Sequence, residues 1–228
     1  MTQAQTITSK AKSNLAFALI DLPEEERRHM AEFYAFCRTV DDIVDEPGMT
    51  PRERHDALNR WMLHRVNNGV YKTGFAGTQD AYDAAYARLW TAMDWLEERL
   101  TDRRYLMGDS ITEADVRLFT TLVRFDPVYH GHFKCNRSKI TEIPVLWGYL
   151  RDLFQTPGFG DTVDFVQIKQ HYYIVHRDLN PHGIVPKGPD LSGWLTPHGR
   201  DSLGGRPFGD GTPPGPVRAG EEVPNPLL

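Results

Sequence analysis

The chain has 228 residues, 40% of them hydrophobic and 25% charged, a balance suited to a soluble globular protein of one large domain or two small ones. Its formal charge of −5 comes with no Lys/Arg-rich run, which excludes electrostatic capture of nucleic acid. The longest apolar stretch near the start, Leu15 to Ile20, is too short to span a bilayer and lacks the pattern of a secretory signal, and the two cysteines, Cys37 and Cys135, point to a reducing cytoplasm rather than a disulfide framework.

From Glu24 to Asp45, Met30, Phe33, Tyr34, Cys37, Val40 and Val44 recur at three- and four-residue steps, which predicts a helix with one buried face. Pro23 suits its first turn, Glu24 to Glu26 suit the positive end of its dipole, and Pro47-Gly48 stops it. Arg52 to Val66 reads as a second helix with Leu58, Trp61, Met62 and Val66 on one side, and Asn67-Asn68-Gly69 is expected to break it. A third runs from Asp80 to Leu100, apolar at Tyr82, Ala85, Leu89, Met93, Leu96 and Leu100. Thr112-Glu113-Ala114-Asp115 has the form of a reciprocal cap, with Ile111 and Val116 at the staple positions. That cap opens a helix expected to run on to Arg124. Val145–Phe154 and Asp164–His176 give two more, separated by Pro157-Gly158. Beyond about residue 205, Pro207, Pro213, Pro214, Pro216, Pro224 and Pro226 predict a disordered tail over 206–228. No segment alternates convincingly as a strand, so the expected fold class is all-α.

Asp41 and Asp45 are four apart, so both carboxylates project from one helix face and could share a hard cation, while Asp42 points about 100° away. A solvated acidic helix end explains the same spacing. The run Phe33-Tyr34-Ala35-Phe36-Cys37-Arg38-Thr39-Val40-Asp41-Asp42-Ile43-Val44-Asp45-Glu46-Pro47 resembles the opening of the squalene and phytoene synthase family, over about residues 12–60. The resemblance implies that Asp41 and Asp45, with Asp42, hold Mg²⁺ against a substrate diphosphate that Arg38 contacts. That family also needs a second aspartate-rich helix, and none is found in the sequence, so this part reads as a prenyl synthase fragment.

A second resemblance covers about residues 57–205. Asn67-Asn68-Gly69-Val70-Tyr71, Arg104-Tyr105-Leu106-Met107-Gly108-Asp109, Gly131-His132-Phe133-Lys134-Cys135-Asn136 and His171-Tyr172-Tyr173 are similar to the C-terminal helical domain of the glutathionyl-hydroquinone reductases, the xi-class glutathione transferases. By position the resemblance implies that Tyr71 and one or both of Tyr172 and Tyr173 bind an aromatic or quinol substrate. It also implies glutathione as co-substrate and a homodimer formed through the helical domain. One departure lies beside the paired tyrosines, where the small residues usual in the family are replaced by Ile174-Val175, with consequences for the pocket's shape.

The family's thiol sits in a thioredoxin-like domain, for which nothing between Met1 and Asn67 supplies a pattern. Cys37 falls on the apolar side of its helix as an inert thiol. Cys135 lies between Lys134 and Arg137, which could lower its pKa, although by resemblance it matches a family position outside the thiol centre. The expected organisation is therefore a synthase-like helical segment (1–56), a transferase-like helical domain (57–205) with an aromatic pocket and little thiol-transfer activity, and the tail. A Mg²⁺-dependent prenyl transferase fragment and a non-catalytic interaction module are the alternatives.

Overall fold

The structure, a computed structural model, describes residues 48–210, and these fall into two compact units, one ending at Arg60 and the other starting at Trp61. The predicted helix at Glu24–Asp45, with Arg38, Asp41, Asp42, Asp45 and Cys37, lies outside the described residues, as do residues 211–228 of the tail. Helix α1 is Pro51–Met62. Its start is capped, one residue before the expected Arg52: Glu53 Oε2 accepts from the amide and hydroxyl of Thr50, both at 2.8 Å, with Pro51 at the first helical position.

The expected break at Asn67-Asn68-Gly69 is not there. A π-helical turn, Leu63–Asn67, leads straight into helix α2, Asn68–Gly74. Leu58, Met62, Val66 and Val70 are all fully buried. Positions four apart drift by about 40° per step around a helix of 3.6 residues per turn, and the wider π turn winds the stripe back onto one face. Local preference yields to packing at Asn67 and Gly69. Asn67 donates to the Arg117 carbonyl at 2.9 Å and to Thr121 Oγ1 at 2.6 Å, while Gly69 lets α2 close on Leu89, 3.3 Å from where a Cβ would stand.

Helix α3, Gln79–Thr101, is capped by Thr78, which accepts from the Ala81 amide at 3.2 Å. Ala85, Leu89, Met93, Leu96 and Leu100 are buried as the periodicity predicts. Tyr82 is only half-buried, with its hydroxyl donating to the Lys134 carbonyl at 2.8 Å. Its C-terminal end meets Arg200, whose guanidinium donates to the carbonyls of Leu100, Arg103 and Arg104, a cation set against the negative end of the helix.

Helix α4, Glu113–Leu122, opens on the reciprocal cap, which the structure extends. The fully buried Asp115 accepts from the Thr112 amide and hydroxyl, each at 2.9 Å, from the Leu106 amide at 2.9 Å and from the Tyr149 hydroxyl at 2.8 Å. One carboxylate thus joins the α3–α4 loop, α4 and the next helix. Val116, expected at the staple position, stays 45% exposed. The helix also ends two residues before the expected Arg124, and a second π-helical turn, Phe125–Tyr129, follows with Pro127 inside it.

Helix α5, Pro144–Gln155, carries Pro144 at its first position, and helix α6, Phe165–Val175, is capped by Asp164, which accepts from the Gln167 amide at 2.9 Å. Arg104 and Asp152 form a buried two-pronged pair at 2.9 and 3.0 Å, and Arg104 also meets Asp201 at 3.2 Å, holding the 200–205 segment against α5. The chain then hydrogen-bonds back through Pro207 to Ile111 and through Arg206 to Asp109. Among the described residues there is no strand, only an isolated bridge between Tyr105 and Gly108, and no helix is long and apolar enough to cross a membrane.

Candidate aromatic-ligand site

Tyr71 on α2, Tyr129 in the second π turn and Tyr172 on α6 bring their hydroxyls together. Tyr172 Oη lies 2.6 Å from Tyr71 Oη and 2.9 Å from Tyr129 Oη, and the last two are 3.5 Å apart. Three local features set this convergence. The π turn places Tyr129 one wide turn after Arg124, whose carbonyl accepts from the Tyr129 amide at 3.3 Å. Behind the hydroxyls, Phe133 packs against all three tyrosine rings, with centroids 5.3, 5.3 and 5.9 Å away. Phe133 can sit this close to α2 only because residue 74 is glycine: a Cβ there would fall 2.3 Å from the Phe133 ring. Lys134 then takes a left-handed backbone, φ 58°, to turn the chain back so that the Cys135 amide reaches the Tyr129 carbonyl at 3.0 Å.

Burial pushes the Tyr172 hydroxyl up to about 12, and it raises Tyr129 well above the ordinary phenol range, helped there by the bonds to Tyr172 and Tyr71. Both remain proton donors at neutral pH. Each hydroxyl has one hydrogen and two lone pairs, so the group can re-orient its donors towards an incoming oxygen.

A second polar pair lies alongside. His132 Nε2 and His176 Nδ1 are 3.2 Å apart. Burial lowers His132 to about 4 and lowers His176 as well, which favours the neutral form of both rings. His176 also meets Phe75 edge to face at 5.1 Å. Phe75 is 49% and Tyr71 38% exposed, so the cluster opens to the surface through an aromatic rim.

Of the three tyrosines singled out by sequence, Tyr71 and Tyr172 meet and Tyr173 turns away: its hydroxyl donates to the Pro127 carbonyl at 3.4 Å and its ring lies 4.5 Å from His132. Residues 172 and 173 sit about 100° apart on the helix, so only one of them faces α2. Tyr129 was missed because it falls between the motif runs, although the aromatic density of Phe125 to Phe133 is itself a signal. Ile174 and Val175 are 42% and 58% exposed, so they face solvent rather than filling the cluster. Cys135 is buried, with its Sγ 3.8 Å from the Val70 and Phe133 carbonyls, and burial pushes its thiol up to about 12. The neighbouring cations do not activate it. Among the described residues no group of three or more His, Cys, Asp or Glu could hold a metal ion.

Residues 79–152 match the family described as glutathione S-transferase, C-terminal domain. Over 148 residues the chain is 51% identical to the glutathionyl-hydroquinone reductase YqjG of Escherichia coli, covering 64% of this chain and 44% of that protein. The glutathione-bound structure of YqjG superimposes with a TM-score of 0.62, over 64% of this chain and 47% of that one. A glutathione transferase from Gordonia bronchialis is 73% identical, with a TM-score of 0.72 over 74% of this chain and 53% of that one. Over 65 residues the chain is 40% identical to presqualene diphosphate synthase of Zymomonas mobilis, covering 28% of this chain and 22% of that protein. The chain spans about half the length of the reductases and transferases it matches. Residues 79–152 thus match a glutathione S-transferase C-terminal domain, and the chain is similar over about two thirds of its length to the glutathionyl-hydroquinone reductase of Escherichia coli and to a Xi-class transferase of Natrialba magadii.

Proposed function

We propose that this domain binds a hydroxylated aromatic ring, of the quinol class, through the hydroxyls of Tyr71, Tyr129 and Tyr172, and that the residues around it contribute no thiol chemistry of their own. The single observation that carries this reading is the meeting of three phenol oxygens within 3.5 Å under an aromatic rim. The phenols donate to a ligand oxygen and their rings offer it an apolar face. The similarity to glutathionyl-hydroquinone reductases supports the choice of ligand. The one cysteine among the described residues is a buried thiol that stays protonated, so a glutathione co-substrate meets no nucleophile here. Binding of 1,4-dihydroxybenzene measured by calorimetry should weaken five- to tenfold in Tyr172→Phe, the loss of a hydrogen bond of about 1 kcal/mol. Glutathione-dependent reduction of a glutathionyl-hydroquinone should be negligible. Unchanged binding in Tyr172→Phe would sink the first half of the reading, and turnover like that of a complete reductase would sink the second. Self-association into a homodimer in the cytoplasm belongs to the same reading, with light scattering after gel filtration as its test.

A second reading attaches to the N-terminal segment, favoured by the 65-residue likeness to presqualene diphosphate synthase. There Asp41 and Asp45, with Asp42, hold Mg²⁺ against a diphosphate contacted by Arg38, which suits the charge of a departing diphosphate. Calorimetry with Mg²⁺ and farnesyl diphosphate tests it: heat that vanishes in Asp41→Ala supports it, and the absence of any Mg²⁺ heat ends it.

A further inference from the structure

A cleft of about 350 Å³ lies between α4 and the segment from Gly158 to Ile168. One wall is the face of α4 and its C-terminal turn carrying Phe119, Val123 and Arg124, and the other is formed by Phe159, Val163 and Ile168. Phe119 and Phe159 meet edge to face at 5.1 Å across one end. Two registers set the cleft against the hydroxyls. Ile168 lies one helical turn before Tyr172 on α6, on the same side of the helix. Arg124 lies one π turn before Tyr129, joined to it through the backbone bond at 3.3 Å. The charge of Arg124 is felt at the Tyr172 hydroxyl, where it opposes the rise caused by burial.

Arg124 has donors to offer. Its Nη1 donates to the Thr120 carbonyl at 2.5 Å, and among the described residues no carboxylate stands within ion-pair distance of it. The nearest competing charge in the cleft is Asp164, whose Oδ1 is engaged by the Gln167 amide in capping α6. The cleft thus sets the apolar side chains of Phe119, Val123, Phe159, Val163 and Ile168 beside polar ones, with a guanidinium that makes no ion pair among the described residues. The apolar side chains alone would take any hydrocarbon; the guanidinium selects an anion, and the tyrosine hydroxyls select what that anion is attached to.

We propose that the cleft recognises the acidic side chain of an aryl ligand: the hydroxylated ring sits at Tyr71, Tyr129 and Tyr172, a short aliphatic chain lies between Phe119 and Ile168, and its carboxylate meets Arg124. This rests on the tyrosine reading above and adds the class of substrate, a dihydroxyaryl alkanoate rather than a plain quinol.

Calorimetry on the full chain with 1,4-dihydroxybenzene and with 2,5-dihydroxyphenylacetate tests it. The acid should bind about tenfold more tightly, equivalent to about 1.4 kcal/mol. Arg124→Gln should erase that preference, and Ile168→Trp, which fills the slot, should do the same. Asp164→Asn, which still caps a helix, should widen the preference by removing a like charge. Equal affinities in the native chain, or a preference that survives Arg124→Gln, overturn the proposal. If that happens while Tyr172→Phe still weakens both ligands, the cleft is refuted and the tyrosine site stands. An Arg124-dependent preference with no effect of Tyr172→Phe refutes the tyrosine site, and with it the bridging ligand.

Discussion

Replacing Asp115 by Ala removes the acceptor that four donors share: the Leu106 and Thr112 amides, the Thr112 hydroxyl and the Tyr149 hydroxyl, at 2.8 to 2.9 Å. Tyr149 and Leu106 are fully buried and could not turn to water. Each such orphaned group costs about 1–3 kcal/mol. The Thr112 groups are half-buried, and their loss resembles that of a helix cap, about 1 kcal/mol. The expected destabilisation is thus about 4 kcal/mol, read as a shift of the urea midpoint followed by circular dichroism. Asp115→Asn should cost only about 1–2 kcal/mol. Its carbonyl can keep the Leu106 and Tyr149 pair, while its NH₂ must face the Thr112 donors. Burial raises the Asp115 carboxyl above its ordinary value against the pull of these bonds. With a folded pKa above the unfolded one, the carboxyl's contribution is complete below the unfolded value and is lost as pH rises through the folded one. The stability gap between the native chain and Asp115→Asn should therefore be widest in acid and narrow towards neutrality. A loss below about 1 kcal/mol for Asp115→Ala, or a gap that widens with pH, would refute this reasoning.

In a Cys37→Ser background the Cys135 thiol should resist dithiobis-nitrobenzoate at pH 8 until urea unfolds the domain, since burial holds it protonated at about 12; rapid labelling of the folded chain would contradict its placement. Gly74→Ala forces the Phe133 ring to move, the Cβ falling 2.3 Å from it; a loss of about 1–3 kcal/mol in urea melts, with weakened quinol binding, is expected, and native affinity would count against Phe133 as the support of the hydroxyls. Arg104→Met strands the buried Asp152 carboxylate and should cost about 3–5 kcal/mol, whereas pairing it with Asp152→Leu should restore much of that loss in the same melts.

The helices were legible where burial follows a simple period. Ala85, Leu89, Met93, Leu96 and Leu100 gave α3, and the Thr112–Asp115 spacing located the start of α4. What the sequence hid was every place where tertiary contact overrides local preference. Asn67 and Gly69 look like a stop, yet one is occupied by α4 and the other by Leu89. At the site, the motif residues Tyr71 and Tyr172 were visible but their phase was not. A one-residue difference separates Tyr172, which meets α2, from Tyr173, which meets Pro127. Tyr129 was hidden because it falls between the motif runs, in a π turn that no α-helical period picks out.

Two of the three converging tyrosines follow π turns: Leu63–Asn67 precedes Tyr71, and Phe125–Tyr129 ends on Tyr129 itself. Each wide turn amounts to one residue more than an α-helix would use. Length, then, and not only side-chain identity, governs the pocket: dropping a single codon from either segment would swing the downstream ring by about 100°. Relatives that differ by one residue at these two places would present other groups to the same ligand, so gaps in an alignment there carry as much meaning as exchanged letters.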